Sequence, residues 1–120
     1  MQKLAKREEQ IMQAFWRLDR AYIREIIAEL PDPKPHYNSV ATMVRILEDK
    51  GFLDHETFGN TFRYFPVVSK EQYQKHAVED IVSKYFNNSY PTMLAYFAKE
   101  QHLSQEALNE ILEIIKSQKK

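Results

Sequence analysis

The apolar residues of this chain recur at two different periods, and the period changes along the sequence. Over residues 4–18 and 21–30 they return every three or four positions, which places them on one face of an α-helix. Pro31 ends the second helix, because proline disfavours helical geometry in the residue before it. Two amphipathic helices joined by a short turn are therefore predicted at the start.

Three of the five prolines lie in residues 31–35, PDPKP. Each proline fixes its own φ and pushes its predecessor towards an extended conformation, so this segment is predicted to be a stiff, non-helical connector. A third helix follows and ends at Gly51, a common stop signal. Its core-facing stripe, at helical spacing, is Val40, Met43, Val44 and Leu47.

From residue 52 to 68, β-branched and aromatic residues lie on both sides of the pair Gly59-Asn60, which predicts a β-hairpin. Helical spacing then returns in three segments: residues 69–86, about 91–101 and 104–117. Ser104 is the predicted N-cap of the last helix. That helix carries a stripe too apolar for a solvated tail, so it is expected to pack against a partner; the stripe is Leu108, Ile111, Leu112 and Ile115.

Helix, helix, stiff turn, helix and hairpin is the element order of a winged helix, whose third helix enters the major groove of DNA. We therefore predict a mainly α fold with a small β-hairpin wing. A winged helix-turn-helix domain is expected over residues 1–70 and a helical domain over residues 71–120.

The chain has 17 basic and 17 acidic residues, so only a local patch of charge can favour a nucleic acid. The third helix offers one. Its leading part contains Arg45, with Lys34 just upstream, and no acid, whereas Glu48 and Asp49 lie at its trailing end. A phosphate backbone is therefore expected to approach the front of this helix.

The outward stripe of the third helix carries side chains suited to base edges. Asparagine can pair with adenine, arginine with guanine, and serine or threonine with bases or phosphates. The candidates are Asn38, Ser39, Thr42 and Arg45, with Ala41 or the Thr42 methyl available for a thymine methyl. The simpler alternative is an amphipathic helix with a solvated outer face.

Several classes of function are excluded or disfavoured. There is no Cys, and two Gly cannot form a glycine-rich phosphate loop. The four His are scattered, and His76 with Asp80 supplies only two ligands, so no metal or cofactor site is predicted. No serine elbow or working carboxylate pair indicates an enzyme. No window approaches a membrane span, so a cytoplasmic protein is expected.

Aromatic residues are dense in the second half. They could stack on single-stranded nucleic acid, but their helical spacing beside Ile and Leu favours a core role. The predicted core aromatics are Tyr85, Phe86, Tyr90, Tyr96 and Phe97, together with Trp16 in the first domain.

Five segments, in order, resemble the BlaI/MecI penicillinase repressor family, which includes the copper-responsive CopY repressors. They are EEQIMQAFW, IREIIAEL, HYNSVATMVRILEDKGFLDHE, GNTFRYFPVVSKEQY and LSQEALNEILEII. The resemblance implies a homodimeric bacterial transcriptional repressor. Its winged helix would bind double-stranded operator DNA, and its C-terminal helices would intertwine with those of a second chain.

Residue roles follow from the resemblance by position. The implied contacts of the recognition helix are Tyr37, Asn38, Ser39, Thr42 and Arg45. Those of the wing are Asn60, Thr61 and Arg63. The implied dimerisation residues are Tyr73, Ile81, Tyr85, Met93, Leu94, Phe97, Leu108, Ile111, Leu112 and Ile115.

The sequence also departs from the family pattern. Ala5 and Tyr22 replace good N-caps of the first two helices, each at a cost of about 1 kcal/mol. In penicillinase repressors a sensor-linked protease cuts an Asn-Phe bond, and the matching pair here is Tyr96-Phe97, so the Phe is kept and the Asn is not. The absence of Cys excludes copper sensing through thiolates.

The leading hypothesis is a repressor that binds a palindromic operator as a homodimer, with a β-lactam-response-type operon as one target. A winged-helix module that binds a protein and no DNA is the main alternative, and the balanced charge favours it. A regulator with a small-molecule pocket between wing and arm is a third. Salt dependence separates the first two, because DNA binding weakens steeply as salt rises.

Overall fold

The computed structural model describes residues 1–100 and 104–118, apart from the side chains of residues 112 and 115–118. Its elements are helices α1 Lys6–Leu18, α2 Ile23–Glu29 and α3 Tyr37–Asp49, strands β1 Leu53–Phe58 and β2 Thr61–Pro66, and helices α4 Lys70–Tyr85, α5 Tyr90–Glu100 and α6 Gln105–Gln118. The predicted mainly α fold with a hairpin wing is confirmed. None of these helices is long and apolar enough to cross a membrane.

The chain forms two compact units, Met1–His76 and Ala77–Lys120. The division lies inside α4, six residues beyond the predicted boundary at residue 70. The contacts of Tyr73 explain the difference, because they join the start of α4 to the first unit. Its hydroxyl accepts a hydrogen bond from the Leu4 N–H at 3.2 Å, and its ring lies 5.7 Å from that of Trp16.

The two strands pair antiparallel in a regular register from Leu53 opposite Pro66 to Phe58 opposite Thr61. Gly59 has a φ of 60°, a left-handed conformation that glycine adopts without steric cost at a hairpin turn. The structure adds a contact that the sequence pattern did not indicate. Ala21, between α1 and α2, exchanges two 2.9 Å backbone hydrogen bonds with Tyr64 and so fixes the wing to the helices.

The core of the first unit lies between α1, α2, α3 and the hairpin. Its fully enclosed side chains include Ile11, Met12, Phe15, Ile26, Val44, Leu47 and Phe52. Trp16 packs against this core and donates its ring N–H to the Val68 carbonyl at 2.9 Å, so its predicted core role is confirmed. Tyr73, expected at a dimer interface, is instead 7% exposed within its own chain.

The predicted core stripe of α3 is confirmed, since Val40, Val44 and Leu47 are buried and Met43 packs against the core. Ala41, predicted on the outward stripe, is only 7% exposed, because the helix packs across a wider arc than a single stripe. It still lines the surface groove described below, together with Asn38 and Arg45. Thr42 is exposed.

The missing N-caps are partly replaced. No side chain caps α1 or α2 from the N-cap position, as predicted. Glu8 instead accepts the Ala5 N–H at 2.9 Å, and Glu25 accepts the Tyr22 N–H at 2.8 Å. Each glutamate thus supplies one half of a capping box and also places its charge favourably in the first turn.

Glu8 has a second partner at the far end of the unit's third helix. Lys50, the C-cap residue of α3, lies 2.8 Å from Glu8 Oε2. Burial raises the pKa of Glu8, but the hydrogen bonds from Lys50 and the Ala5 N–H, with the charge of Lys50, outweigh it and hold the pKa below its ordinary value of 4.5. The pair joins the start of α1 to the end of α3.

We expect Lys50→Met to reduce the free energy of unfolding by about 1–2 kcal/mol, because it leaves a mostly buried carboxylate without its cation. The effect should depend on pH. A lowered pKa stabilises the fold above the ordinary value, and this stabilisation is lost as pH falls through the folded-state pKa. Urea unfolding should show a larger difference between the variant and the parent at pH 7 than at pH 3. Equal differences at both values would contradict the role of the ion pair.

The second unit has little core of its own. Among its described side chains only Val82 is fully buried, and α5 buries none. The prediction that the aromatic cluster forms a core is therefore wrong for the single chain. Exposure reaches 73% for Tyr85, 49% for Tyr96 and 38% for Phe97.

The helix boundaries in this unit follow the predicted signals. Asn87 and Asn88 have positive φ, and the Asn88 N–H closes the end of α4 on the Val82 carbonyl at 3.1 Å. Ser104 caps α6 by accepting the Ala107 N–H at 3.0 Å, which confirms the predicted N-cap. Of the predicted dimerisation residues, the side chains of Leu112 and Ile115 lie outside the described part of the chain.

Candidate nucleic-acid interface

A groove of about 370 Å³ runs between the start of α2, the outer face of α3 and the tip of the wing. Five of the predicted DNA contacts line it: Tyr37, Asn38, Arg45, Asn60 and Thr61. The fold therefore brings together residues of the recognition helix and of the wing that are separated in the sequence.

The other three predicted contacts lie outside this lining. Ser39 and Thr42 are exposed on α3. The Thr42 hydroxyl donates to the Asn38 carbonyl at 2.9 Å, so its proton is used within the helix. Thr42 can therefore meet a base through its methyl group or as an acceptor.

Arg63 lies on the opposite face of β2 from Phe62 and Tyr64, because successive side chains alternate along a strand. Its guanidinium lies 6.0 Å from the ring centre of Tyr22, and its Nε is buried without a hydrogen-bond partner among the described residues. Arg63 thus lies beside the groove, next to the start of α2.

Arg24 is the side chain that sequence analysis missed. It is exposed on α2, lines the groove and holds its guanidinium 5.1 Å from the ring centre of Tyr37. A cation over an aromatic face is held in place while its N–H groups remain free to bind an anion. No sequence spacing relates residues 24 and 37, since the proline connector lies between them.

The charge of the groove differs from that of the whole chain. Its lining residues include two guanidinium groups, those of Arg24 and Arg45, and no carboxylate. The nearby acid Glu48 faces His55 instead, with Oε2 2.5 Å from the ring Nδ1. The predicted contrast between the front and the trailing end of α3 is thus present in three dimensions.

Lys34 contributes less than expected to this positive front. Its ammonium donates to the carbonyls of Ala28, at 3.0 Å, and Leu30 at the end of α2. It therefore satisfies helix-terminal carbonyls and holds the proline connector. The charge available to an anion in front of α3 comes chiefly from the two arginines.

Tyr64 forms part of the floor of the groove. Burial raises the pKa of its hydroxyl, and the nearby negative charge of Glu48 adds to the increase. The phenol therefore stays neutral over the physiological range. A groove with two guanidinium groups, no carboxylate and a neutral aromatic floor suits an anion such as a phosphate group better than a metal cation.

Comparison with known proteins gives independent evidence on the class of protein. The family model described as Penicillinase repressor matches residues 4–117. The chain belongs to the penicillinase repressor family. It is 25% identical over 122 residues to the penicillinase repressor of Bacillus licheniformis, covering 98% of this chain and 92% of the relative.

Two further relatives of this penicillinase repressor family are methicillin resistance regulatory proteins MecI. That of Staphylococcus aureus strain N315 is 21% identical over 114 residues, and that of Mammaliicoccus sciuri is 22% identical over 116 residues. Each alignment covers 94% of this chain and 93% of the relative. Members of the family are transcriptional regulators and not enzymes, which confirms the prediction that this chain is no enzyme.

Proposed function

We propose that the protein is a transcriptional repressor that binds a palindromic operator as a homodimer. The observation that carries the proposal is the groove between α3 and the wing, which has two arginines and no carboxylate in a chain of zero net charge. Binding to operator DNA implies action in the cytoplasm. Occupying a promoter would then block transcription.

The contacts divide into two kinds. In this proposal Asn38 and Arg45, on the exposed face of α3, meet base edges in the major groove. Arg24, Arg63 and Asn60 at the wing tip meet phosphates on either side. Phosphate contacts would fix the position of the protein, and the α3 side chains would select the sequence.

A second copy of the chain is the partner best suited to the C-terminal unit. Ile81 is 44% exposed and Phe97 38% exposed, in a unit whose described side chains bury only Val82. Helices with such faces need a further apolar surface to cover them. Joining two winged helices in this way would let two α3 helices bind adjacent major grooves.

We expect Arg45→Ala to weaken binding of the dimer to a selected operator by about 30-fold or more, because each of its two chains loses an arginine-guanine pair worth about 1–3 kcal/mol. The operator is first isolated from random duplexes with the parent protein, and affinities are then measured by fluorescence anisotropy. Lys84→Ala is the control, since Lys84 is an exposed cation on α4 paired with Asp80 at 3.1 Å. An unchanged affinity and sequence preference would remove Arg45 from the base contacts.

The main alternative is that the winged helix binds another protein and no DNA. The zero net charge is the observation that favours it. Salt distinguishes the two functions, because phosphate contacts release counterions and give a steep loss of affinity between low and high salt. A binding partner whose affinity is independent of salt would favour the alternative.

Cleavage by a sensor-linked protease is a second part of the proposal. The Tyr96 and Phe97 side chains are exposed, but their peptide bond lies inside α5 and both rings pack near Phe86, at 5.6 and 6.4 Å. A protease that binds extended substrates would first need this turn to open. Cleavage at this bond would separate part of α5 and all of α6 from the winged helix.

A further inference from the structure

Three potential metal ligands meet where the recognition helix ends and the wing begins. Glu48 lies near the end of α3, and Asp54 and His55 are adjacent on β1. One donor atom from each lies within 4.8 Å of the other two. The sequence predicted no metal site because only His76 and Asp80 have a helical ligand spacing, whereas these three residues meet only after the turn at Gly51.

The imidazole is held in the orientation that a ligand needs. Its ring centre lies 4.5 Å from that of Phe62 and 5.4 Å from that of Tyr64, and its Nδ1 faces Glu48. Asp54 Oδ1 accepts the backbone N–H of His55 at 2.8 Å, which holds this carboxylate against the main chain, within 4.8 Å of the imidazole donor atom. Metal ligands whose orientation is fixed by packing and hydrogen bonds lose little entropy on binding.

The charge of the cluster is not balanced by a basic side chain. Three other glutamates of the first unit do pair with lysine or arginine: Glu8 with Lys50, Glu29 with Arg17 and Glu56 with Arg20. Within residues 1–100 and 104–118, neither Glu48 nor Asp54 has such an ion pair. The C-terminus of α3 adds its negative dipole end, so this position favours a cation.

We propose that Glu48, Asp54 and His55 bind one divalent transition-metal ion, with Zn²⁺ as the probe. One imidazole nitrogen and two carboxylate oxygens are ordinary ligands for Zn²⁺, and water completes an open site of this kind. Bonds of about 2.1 Å in a tetrahedron separate ligand atoms by about 3.4 Å. Glu48 Oε2 and His55 Nδ1, now 2.5 Å apart, would therefore move apart by about 1 Å to admit the ion. All three donor atoms already lie within 4.8 Å of one another, so small side-chain movements bring them to this spacing. Glu48 and His55 side chains are 25% and 30% exposed, which leaves an entry path.

The bound ion would join the end of the recognition helix to the first strand of the wing. It should therefore raise the melting temperature of the protein, because it binds the folded chain and not the separated ligands. This rise in melting temperature does not depend on DNA binding. It would hold even if the proposed repressor function failed, so the two proposals can be tested separately.

The test is a calorimetric titration of Zn²⁺ alone into the full, tag-free chain, together with a thermal melt at each metal concentration. We expect one ion per chain and a rise in melting temperature. His55→Gln should weaken binding by at least about tenfold. Asp54→Asn should weaken it too, and this exposed substitution keeps an oxygen for the hydrogen bond to the His55 N–H.

His76→Gln is the matched control, because it removes the alternative histidine, one helical turn from Asp80, and should leave Zn²⁺ binding unchanged. Circular dichroism verifies that each variant is folded. If His55→Gln does not fold, the Zn²⁺ affinity of Asp54→Asn alone tests the site. The proposal is overturned if Zn²⁺ does not bind saturably below about 100 µM, or if His76→Gln weakens binding as much as the cluster variants do.

Discussion

Replacing Phe97 by Asp should convert the protein to a monomer and weaken its binding to operator DNA by about 100-fold or more. The loss is large because two winged helices joined in one dimer bind with avidity, and separated ones lose it. Phe97 is 38% exposed in the single chain, on a helix that buries no side chain of its own. A carboxylate there would have to be desolvated in an apolar dimer interface. Sedimentation velocity gives the mass, and fluorescence anisotropy gives the affinity.

Ala95→Asp is the matched control for this experiment. Ala95 is exposed on the same helix, two residues away and so on the other side of it, and the variant adds the same charge. It should remain dimeric and bind DNA normally. Circular dichroism checks that both variants keep their helices. A Phe97→Asp protein that stays dimeric at micromolar concentration would show that α5 is not in the interface.

The order of elements could be predicted because each boundary has a local cause. Pro31 ends α2, the Gly59-Asn60 pair makes the hairpin turn, and Ser104 caps α6. These signals act over a few residues, so they can be recognised from the sequence alone. The single bridge between Ala21 and Tyr64 is not, since it depends on how α1 and α2 approach the wing.

Periodicity identifies a face that must be covered but not what covers it. It correctly predicted that Val44 and Leu47 face the core of their own unit. The same pattern in the second unit led to a core role for Tyr85 and Tyr96, which the single chain leaves exposed. Apolar spacing is the same whether the covering surface belongs to the same chain or to a second one.

The same limit of sequence periodicity applies to the candidate nucleic-acid interface. Asn38 and Arg45 could be found because they share the outward face of one helix. Arg24 reaches the groove only through the packing of α2 against α3. Site residues that tertiary contacts bring together can therefore be identified only from the structure. Site residues on one helix can be identified from their spacing in the sequence.

Charge reversal at Arg24 is the strongest test of that tertiary contribution. We expect Arg24→Glu to weaken DNA binding by about 100-fold, because it places a carboxylate beside the phosphate backbone in a groove whose lining has none. The loss should be similar on operator and random duplexes, since phosphates carry no sequence information. This uniform loss distinguishes Arg24→Glu from Arg45→Ala, which should weaken binding mainly to the operator.

The milder variant Arg24→Ala gives a quantitative check. A dimer would lose two phosphate contacts, so the slope of log affinity against log salt should become shallower by about 2. Arg17→Ala is the control, because Arg17 is also an exposed arginine of the first unit but pairs with Glu29 at 3.3 Å and does not line the groove. If Arg24→Ala leaves the salt slope at the value of Arg17→Ala, then Arg24 only packs on Tyr37 and the phosphate contacts lie elsewhere.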